Sequence, residues 1–234
     1  MIIKTMDKKE IKQLLKSKPV AGSFNVFKEN GGIIKIYKDP MFELERYATV
    51  IFPGSLVDEE QIYWLESKQP LVKGSNLPNG IVYYENLPIG VTYPQYFEGY
   101  KNFYHLHEES VETMIRNFRT AIDKNMELIR NGIFNFDFTM HNILYKGNDV
   151  QLIDLDGKYV TDRLSVARVY SYFVYGMMNE IYDKVKSLYG EKEALIIIKE
   201  LTKLVDSIPL DNKSFDYPHT VLDEVEKTQI LKLK

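Results

Sequence analysis

The spacing of apolar residues changes character near the middle of the chain. Over residues 1–100 they come in short β-like runs separated by turn signals; from about residue 108 they recur at i, i+3, i+4 and i+7. In the first half, "GSFNVFK" (22–28), the turn "ENGG" (29–32) and "IIKIYK" (33–38) predict a hairpin around Asn-Gly-Gly. Asp7 and Glu10 have capping-box spacing, and Ile11, Leu14 and Leu15 share a face, so a short helix is expected over 7–16. "DEEQIYWLESK" (58–68) suits a helix opening with acids, where the dipole favours them. "GIVYYEN" (80–86) reads as a strand that Leu87-Pro88 ends.

In the second half, Val111, Met114, Ile115, Phe118, Ala121, Ile122 and Ile129 predict one long helix, with Asn131-Gly132 as its stop. "ILY" (143–145) and "VQLI" (150–153) flank "KGND", the chemistry of a tight turn. Helices are expected again over 163–189 and 191–208, the latter amphipathic through Ala194, Ile198, Leu201, Val205 and Ile208. No internal repeat or low-complexity stretch interrupts this order. The fold class is α+β: a β-rich part followed by a helical part, joined near 84–92.

Composition narrows the chemistry. The 234 residues are 44% hydrophobic and 27% charged, ordinary for a globular protein. There is no Cys, which excludes disulfides and thiolate metal sites. A net charge of −3 does not favour nucleic acid as a partner. The longest apolar runs, such as "ALIII" (194–198), are too short to span a membrane, and the charged opening "MIIKTMDKKEIKQLLKSK" does not read as a secretory leader. A cytoplasmic protein without membrane partners is expected.

The densest chemistry lies in "NFDFTMHNILYKGNDVQLIDLDG" (135–157). If its hairpin centres near Asn148, Asn142 and Asp154 meet at the open end. Val150, Leu152 and Asp154 would then share a face, turning the acid inward, where it needs a compensating partner such as a cation. Asp137 stands five residues before Asn142, in the loop after the long helix. Singly, these residues fit turn capping, a local backbone bond and hairpin closure. Together they place three oxygen-bearing side chains around one hairpin.

The order Asp137, four residues, Asn142, strand, turn, strand, Asp154 resembles the catalytic loop and metal segment of the protein-kinase-like superfamily, which includes aminoglycoside and choline phosphotransferases. The resemblance spans roughly 20–160. It implies a bilobal fold, with a nucleotide-binding β-rich lobe over 1–86 and a helical catalytic lobe over 87–234. It implies ATP and Mg²⁺ as cofactors, with transfer of the γ-phosphate to a hydroxyl of a protein or a small molecule. Asp137 would be the base, and Asn142 and Asp154 the metal ligands. Lys35 would reach the α- and β-phosphates and pair with a helix Glu: Glu60 first, Glu59 second, with Glu43 or Glu45 if the helix comes earlier. Gly22, Ser23 and Phe24 would correspond to the phosphate loop, and "IVYYENLP" (81–88), through Tyr84 and Glu85, to the hinge that bonds adenine.

The chain also departs from the family. Asn135-Phe136 replaces His-Arg before the catalytic Asp, and Asp154-Leu155-Asp156-Gly157 replaces Asp-Phe-Gly. Asp156 reads either as a second acidic ligand or as a turn residue. No Ala-Pro-Glu segment follows, which points to compact bacterial- or phage-type members or small-molecule phosphotransferases. One glycine remains of the usual phosphate loop, so a catalytically inactive pseudokinase acting by nucleotide or protein binding is the alternative. With four His in the chain, His105 and His107 are not expected to bind metal, and His141 is expected to orient the loop or pack. The aromatic stretch "YPQYFEGYKNFYHL" (93–106) fits either core packing or the lining of a substrate cleft.

Overall fold

The computed structural model describes residues 2–17, 19–20, 26–36, 59–135, 137–155, 163–208 and 217–227. The expectations at Gly22, Ser23, Phe24, Glu43, Glu45 and Asp156 lie outside these residues. The chain divides into two compact units: Met1–Leu71 with Asn76–Glu98, and Val72–Ser75 with Gly99–Lys234. The fold is mixed α+β.

The first unit is built on a five-stranded sheet of order β1-β4-β5-β3-β2. Its strands are β1 (Ile2–Thr5), β2 (Val26–Glu29), β3 (Gly32–Ile36), β4 (Gly80–Tyr84) and β5 (Leu87–Tyr93). β1 runs parallel to β4, and the other pairs are antiparallel. The predicted β2–β3 hairpin forms around Asn30 (φ 49°) and Gly31 (φ 84°), the two positive φ values its turn requires. Helix α1 (Lys8–Lys16) begins at the predicted capping box, in which Asp7 accepts from the Lys9 and Glu10 amides and Glu10 accepts from Asp7 N–H. Its Ile11 is buried with Phe27, Ile34, Ile36, Val82, Tyr84 and Ile89 on one face of the sheet. Each such side chain contributes about 1.5–3 kcal/mol by leaving water. Helix α2 (Glu59–Lys68) buries Ile62 and Leu65 and packs on β4. The Tyr83 hydroxyl meets Glu59, and burial followed by this contact pushes its pKa up to about 12. Since Tyr83 alternates with Val82 and Tyr84, α2 lies on the face opposite α1.

Two expectations are corrected here. Leu87-Pro88 does not end the strand region. β4 turns through Glu85 (φ 48°) and Asn86 (φ 65°) directly into β5, and Pro88 pairs with Tyr83 where the ladder is irregular. That irregularity accommodates a residue with no amide hydrogen. The join expected at residue 86 therefore falls inside a hairpin, and the first unit continues to Glu98. Tyr84 and Glu85 are turn residues within one unit and do not link the two; the Tyr84 side chain is part of the core.

The second unit opens with β6 (Lys101–Asn102), which heads the small sheet β6-β7-β8, with β7 at Ile143–Lys146 and β8 at Asp149–Leu152. Its helices are α3 (Val111–Arg130), α4 (Arg163–Tyr189), α5 (Glu191–Ser207) and α6 (Tyr217–Lys227). α3 is the predicted long helix, capped by Ser110 and stopped at Asn131-Gly132 with Gly132 at φ 81°. Much of the aromatic content is core: Phe138 stacks on Phe173 (centroids 4.3 Å apart), and Phe103 meets Phe118 and Tyr145 edge-on. α5 turns Ala194, Ile197, Leu201 and Val205 inward, with Ile197 buried more deeply than the expected Ile198.

The β7–β8 hairpin is anchored from three directions. β6 pairs with β7 through Lys101↔Tyr145 and Asn102↔Leu144. Ser75 bridges Leu152, whose amide donates to Gly74 O (3.1 Å). From α3, Asn117 Nδ2 donates to Gly147 O in the turn (2.9 Å), and Lys124 Nζ donates to Val150 O. Asn117 is fully buried. Replacing it by alanine removes both the bond and the volume that fixes the turn. Asn117→Ala is expected to lower unfolding stability by about 1–3 kcal/mol, read as a lower urea midpoint at unchanged m-value. A wild-type midpoint would show that the turn does not depend on Asn117.

Candidate functional site

The turn joining β7 to β8 has two central residues, Gly147 and Asn148, with Gly147 at φ 60°. The hairpin centre therefore lies between them, half a residue earlier than the sequence suggests. Asn142 faces Ile153, whose amide donates to Asn142 O (2.9 Å), and Asp154 is one residue beyond the expected partner position. β8 ends at Leu152, so the alternation that would turn Asp154 inward does not reach it; Asp154 is half-buried.

The loop between α3 and β7 brings Asp137 and Asn142 together. Phe138 and Met140 are buried and hold the loop down, and Phe138 stacks on Phe173 of α4. Met140 has room because α4 carries Gly176 beside it: a Cβ there would lie 2.7 Å from Met140 Cγ. The Asp137 amide donates to Asn135 Oδ1 (3.0 Å), Thr139 N–H to Asp137 O (2.8 Å) and Asn142 N–H to Thr139 O (3.0 Å). Asn142 Nδ2 donates to both Asp137 O (3.1 Å) and Asp137 Oδ2 (2.8 Å). Both amide hydrogens of Asn142 are committed to Asp137, which leaves Oδ1 as the atom Asn142 can offer a cation. Asp137 is exposed and its second carboxylate oxygen is open to an incoming group.

Asp154 has φ 60°, in the left-handed region that costs an L-residue about 1–2 kcal/mol and that Asp tolerates better than most. Such strain is concentrated at functional positions. Asn142 Oδ1 and the Asp154 carboxylate are hard oxygen donors, the type Mg²⁺ takes.

One residue not singled out from the sequence, Tyr104, adjoins this loop, and a second, Glu180, acts on it. Tyr104 meets the His141 ring edge-on (4.5 Å between centroids). Its phenol pKa is raised, first by burial and then by the Glu180 and Asp137 carboxylates, so its hydroxyl stays a proton donor. Glu180, on α4, is only 3% exposed. The aromatic stretch 93–106 was the one signal pointing to Tyr104; a single Glu inside a long helix gives none.

In the first unit, Lys35 lies on β3 opposite Val26 and Val91, and Val91 is opposite Ile81. These residues share the face on which α2 packs. Ile33 and Lys35 are half-buried, whereas Ile34 and Ile36 point to the core, the alternation expected for this strand. The expected pairing with Glu60 is not formed: Glu60 is exposed, and among the described residues no ion pair joins Lys35 to Glu59 or Glu60. Glu59 is exposed as well, with its carboxylate near the Tyr83 hydroxyl.

Compared with models of known protein families and with curated protein sequences, the chain matches none.

The left-handed backbone at Asp154 has a measurable consequence. Without ligand, Asp154→Gly should be about 1 kcal/mol more stable to urea than Asp154→Ala, because glycine meets positive φ without strain. Equal stabilities would mean that the residue relaxes out of this conformation when its carboxylate is removed.

Proposed function

We propose that the protein is an ATP- and Mg²⁺-dependent phosphotransferase with a bilobal protein-kinase-like arrangement, moving the γ-phosphate to a hydroxyl acceptor. The observation that carries the reading is the Asn142–Asp137 hydrogen bond (2.8 Å), formed in a loop that closes on the hairpin leading to Asp154. It gives three side chains three separate tasks. Asp137, with one oxygen fixed by Asn142, directs the other at the acceptor hydroxyl and takes its proton as the new phosphorus–oxygen bond forms and the bond from the γ-phosphorus to the bridging oxygen breaks, releasing ADP. Asn142, oriented by its two bonds to Asp137, presents Oδ1 to the metal. Asp154, held at positive φ, presents its carboxylate. Bound Mg²⁺ would neutralise the phosphate charge that develops during transfer. Lys35 is assigned to the nucleotide phosphates by the resemblance of its segment.

The inactive alternative draws on the sequence, which keeps one glycine of the usual phosphate loop. The two readings separate in one experiment. Thermal unfolding is followed with ATP and Mg²⁺, with and without EDTA, alongside γ-phosphate transfer to a panel of alcohols and proteins. Nucleotide at about a hundred times its dissociation constant should add about 2.7 kcal/mol of stability. The shift should vanish with EDTA and in Asp154→Asn. Asp137→Asn should keep the shift and lose transfer by about 10²–10⁴-fold. A shift without transfer in the wild type would favour the nucleotide-binding alternative, and no metal-dependent shift would overturn both.

A further inference from the structure

We propose that His107, Glu180 and Asp183 form a second, separate metal site, suited to a first-row divalent cation of which Zn²⁺ is the best match. One ligand atom from each of the three lies within 4.8 Å of the others. Two ligands of one tetrahedral zinc stand about 3.3 Å apart, so a small side-chain rotation closes the site. The donors come from two elements packed together: the 3-10 helix Phe103–Glu108, seated by buried Phe103 and Leu106, and the long helix α4, which presents Glu180 and Asp183 three residues apart on one face.

Two further observations point to a cation. First, Glu180 is 3% exposed, and a buried carboxylate needs compensation. Its Oε2 accepts from His107 N–H (3.0 Å) and lies 2.9 Å from His107 Nδ1. Second, basic side chains close to these acids are directed elsewhere. Among the described residues no Lys or Arg forms an ion pair with Glu180 or Asp183, and Lys184 Nζ, next along the helix, donates to the Glu109 carbonyl. Two carboxylates, one of them buried, therefore converge on an imidazole without a fixed positive charge. One nitrogen and two oxygens suit Zn²⁺ better than Mg²⁺, which prefers oxygen alone, and three protein ligands leave a position for water or an external group.

The proposal departs from the expectation that neither His105 nor His107 binds metal, and does so only at His107. His105 Nδ1 is paired with Glu108 (2.9 Å). The inference does not depend on nucleotide binding at Asp154.

The test is calorimetric titration of chelator-stripped, dialysed full-length protein with Zn²⁺ alone, repeated with Mg²⁺, with Co²⁺ absorption reporting coordination. One Zn²⁺ per chain is expected, bound more tightly than Mg²⁺. Asp183→Asn, at an exposed position, and His107→Gln should each weaken it by about tenfold or more while keeping the wild-type circular dichroism. Asp154→Asn should bind Zn²⁺ as the wild type does. The proposal fails if the wild type takes up no Zn²⁺, if Asp183→Asn and His107→Gln bind it unchanged, or if Asp154→Asn abolishes the binding.

Discussion

The placement of the β7–β8 hairpin on α3 is the constraint from which the rest of the second unit follows. A two-stranded hairpin has little stability alone. Here its turn is held by Asn117, its second strand by Lys124, and its edges by β6 and by the segment at Gly74–Ser75. Burial keeps the Lys124 pKa below the usual lysine value, so this ammonium is costly to bury and its bond to Val150 O is part of what compensates it. With β8 fixed, the Ile153 amide fixes the Asn142 carbonyl, and Asn142 fixes Asp137 through its side chain. The loop acids are thus positioned by backbone pairing that starts some distance from them.

Charge in this unit falls into two kinds. Some acids are matched by nearby bases. Lys101, and then His105, hold the Glu108 carboxyl down to about 2. Arg119 bridges from α3 to Asp223 and Glu226 on α6, which fastens the last described helix. These pairs are largely exposed and worth little singly. Asp137, Glu180 and Asp183 differ. They have no Lys or Arg partner among the described residues, and their neighbours are an amide, an imidazole and backbone donors. Such surroundings hold a carboxylate in place while leaving its charge available to a ligand.

Much of this was legible in the sequence, and the misses have physical causes. α3 was readable because seven of its apolar residues fall on one stripe, and α1 because Asp7 and Glu10 cap it. The β2–β3 hairpin was readable because Asn30-Gly31 supplies both positive φ values. The hydrogen bond between Asp137 and Asn142 was not expected, because the sequence shows only their five-residue spacing and the loop that closes it is set by tertiary packing. β1 was not readable: its residues are mostly exposed, and backbone bonds to β4 hold it with no amphipathic pattern. β5 was hidden by Pro88, because the ladder irregularity that admits a proline is tertiary information. The hairpin register was misjudged by half a residue, since "KGND" does not say which two of its four residues form the turn. Glu180 was invisible, because its partner is 73 residues away in sequence and a Glu in a long helix is normally solvated.

Tyr104 ties the two acid clusters of the second unit together. It stands edge-on to His141 at the loop that carries Asp137, and it belongs to the same 3-10 helix as His107. Its phenol responds to Glu180 and to Asp137, so the field of each cluster reaches the same hydroxyl. Both carboxylates act in one direction, keeping that hydroxyl protonated.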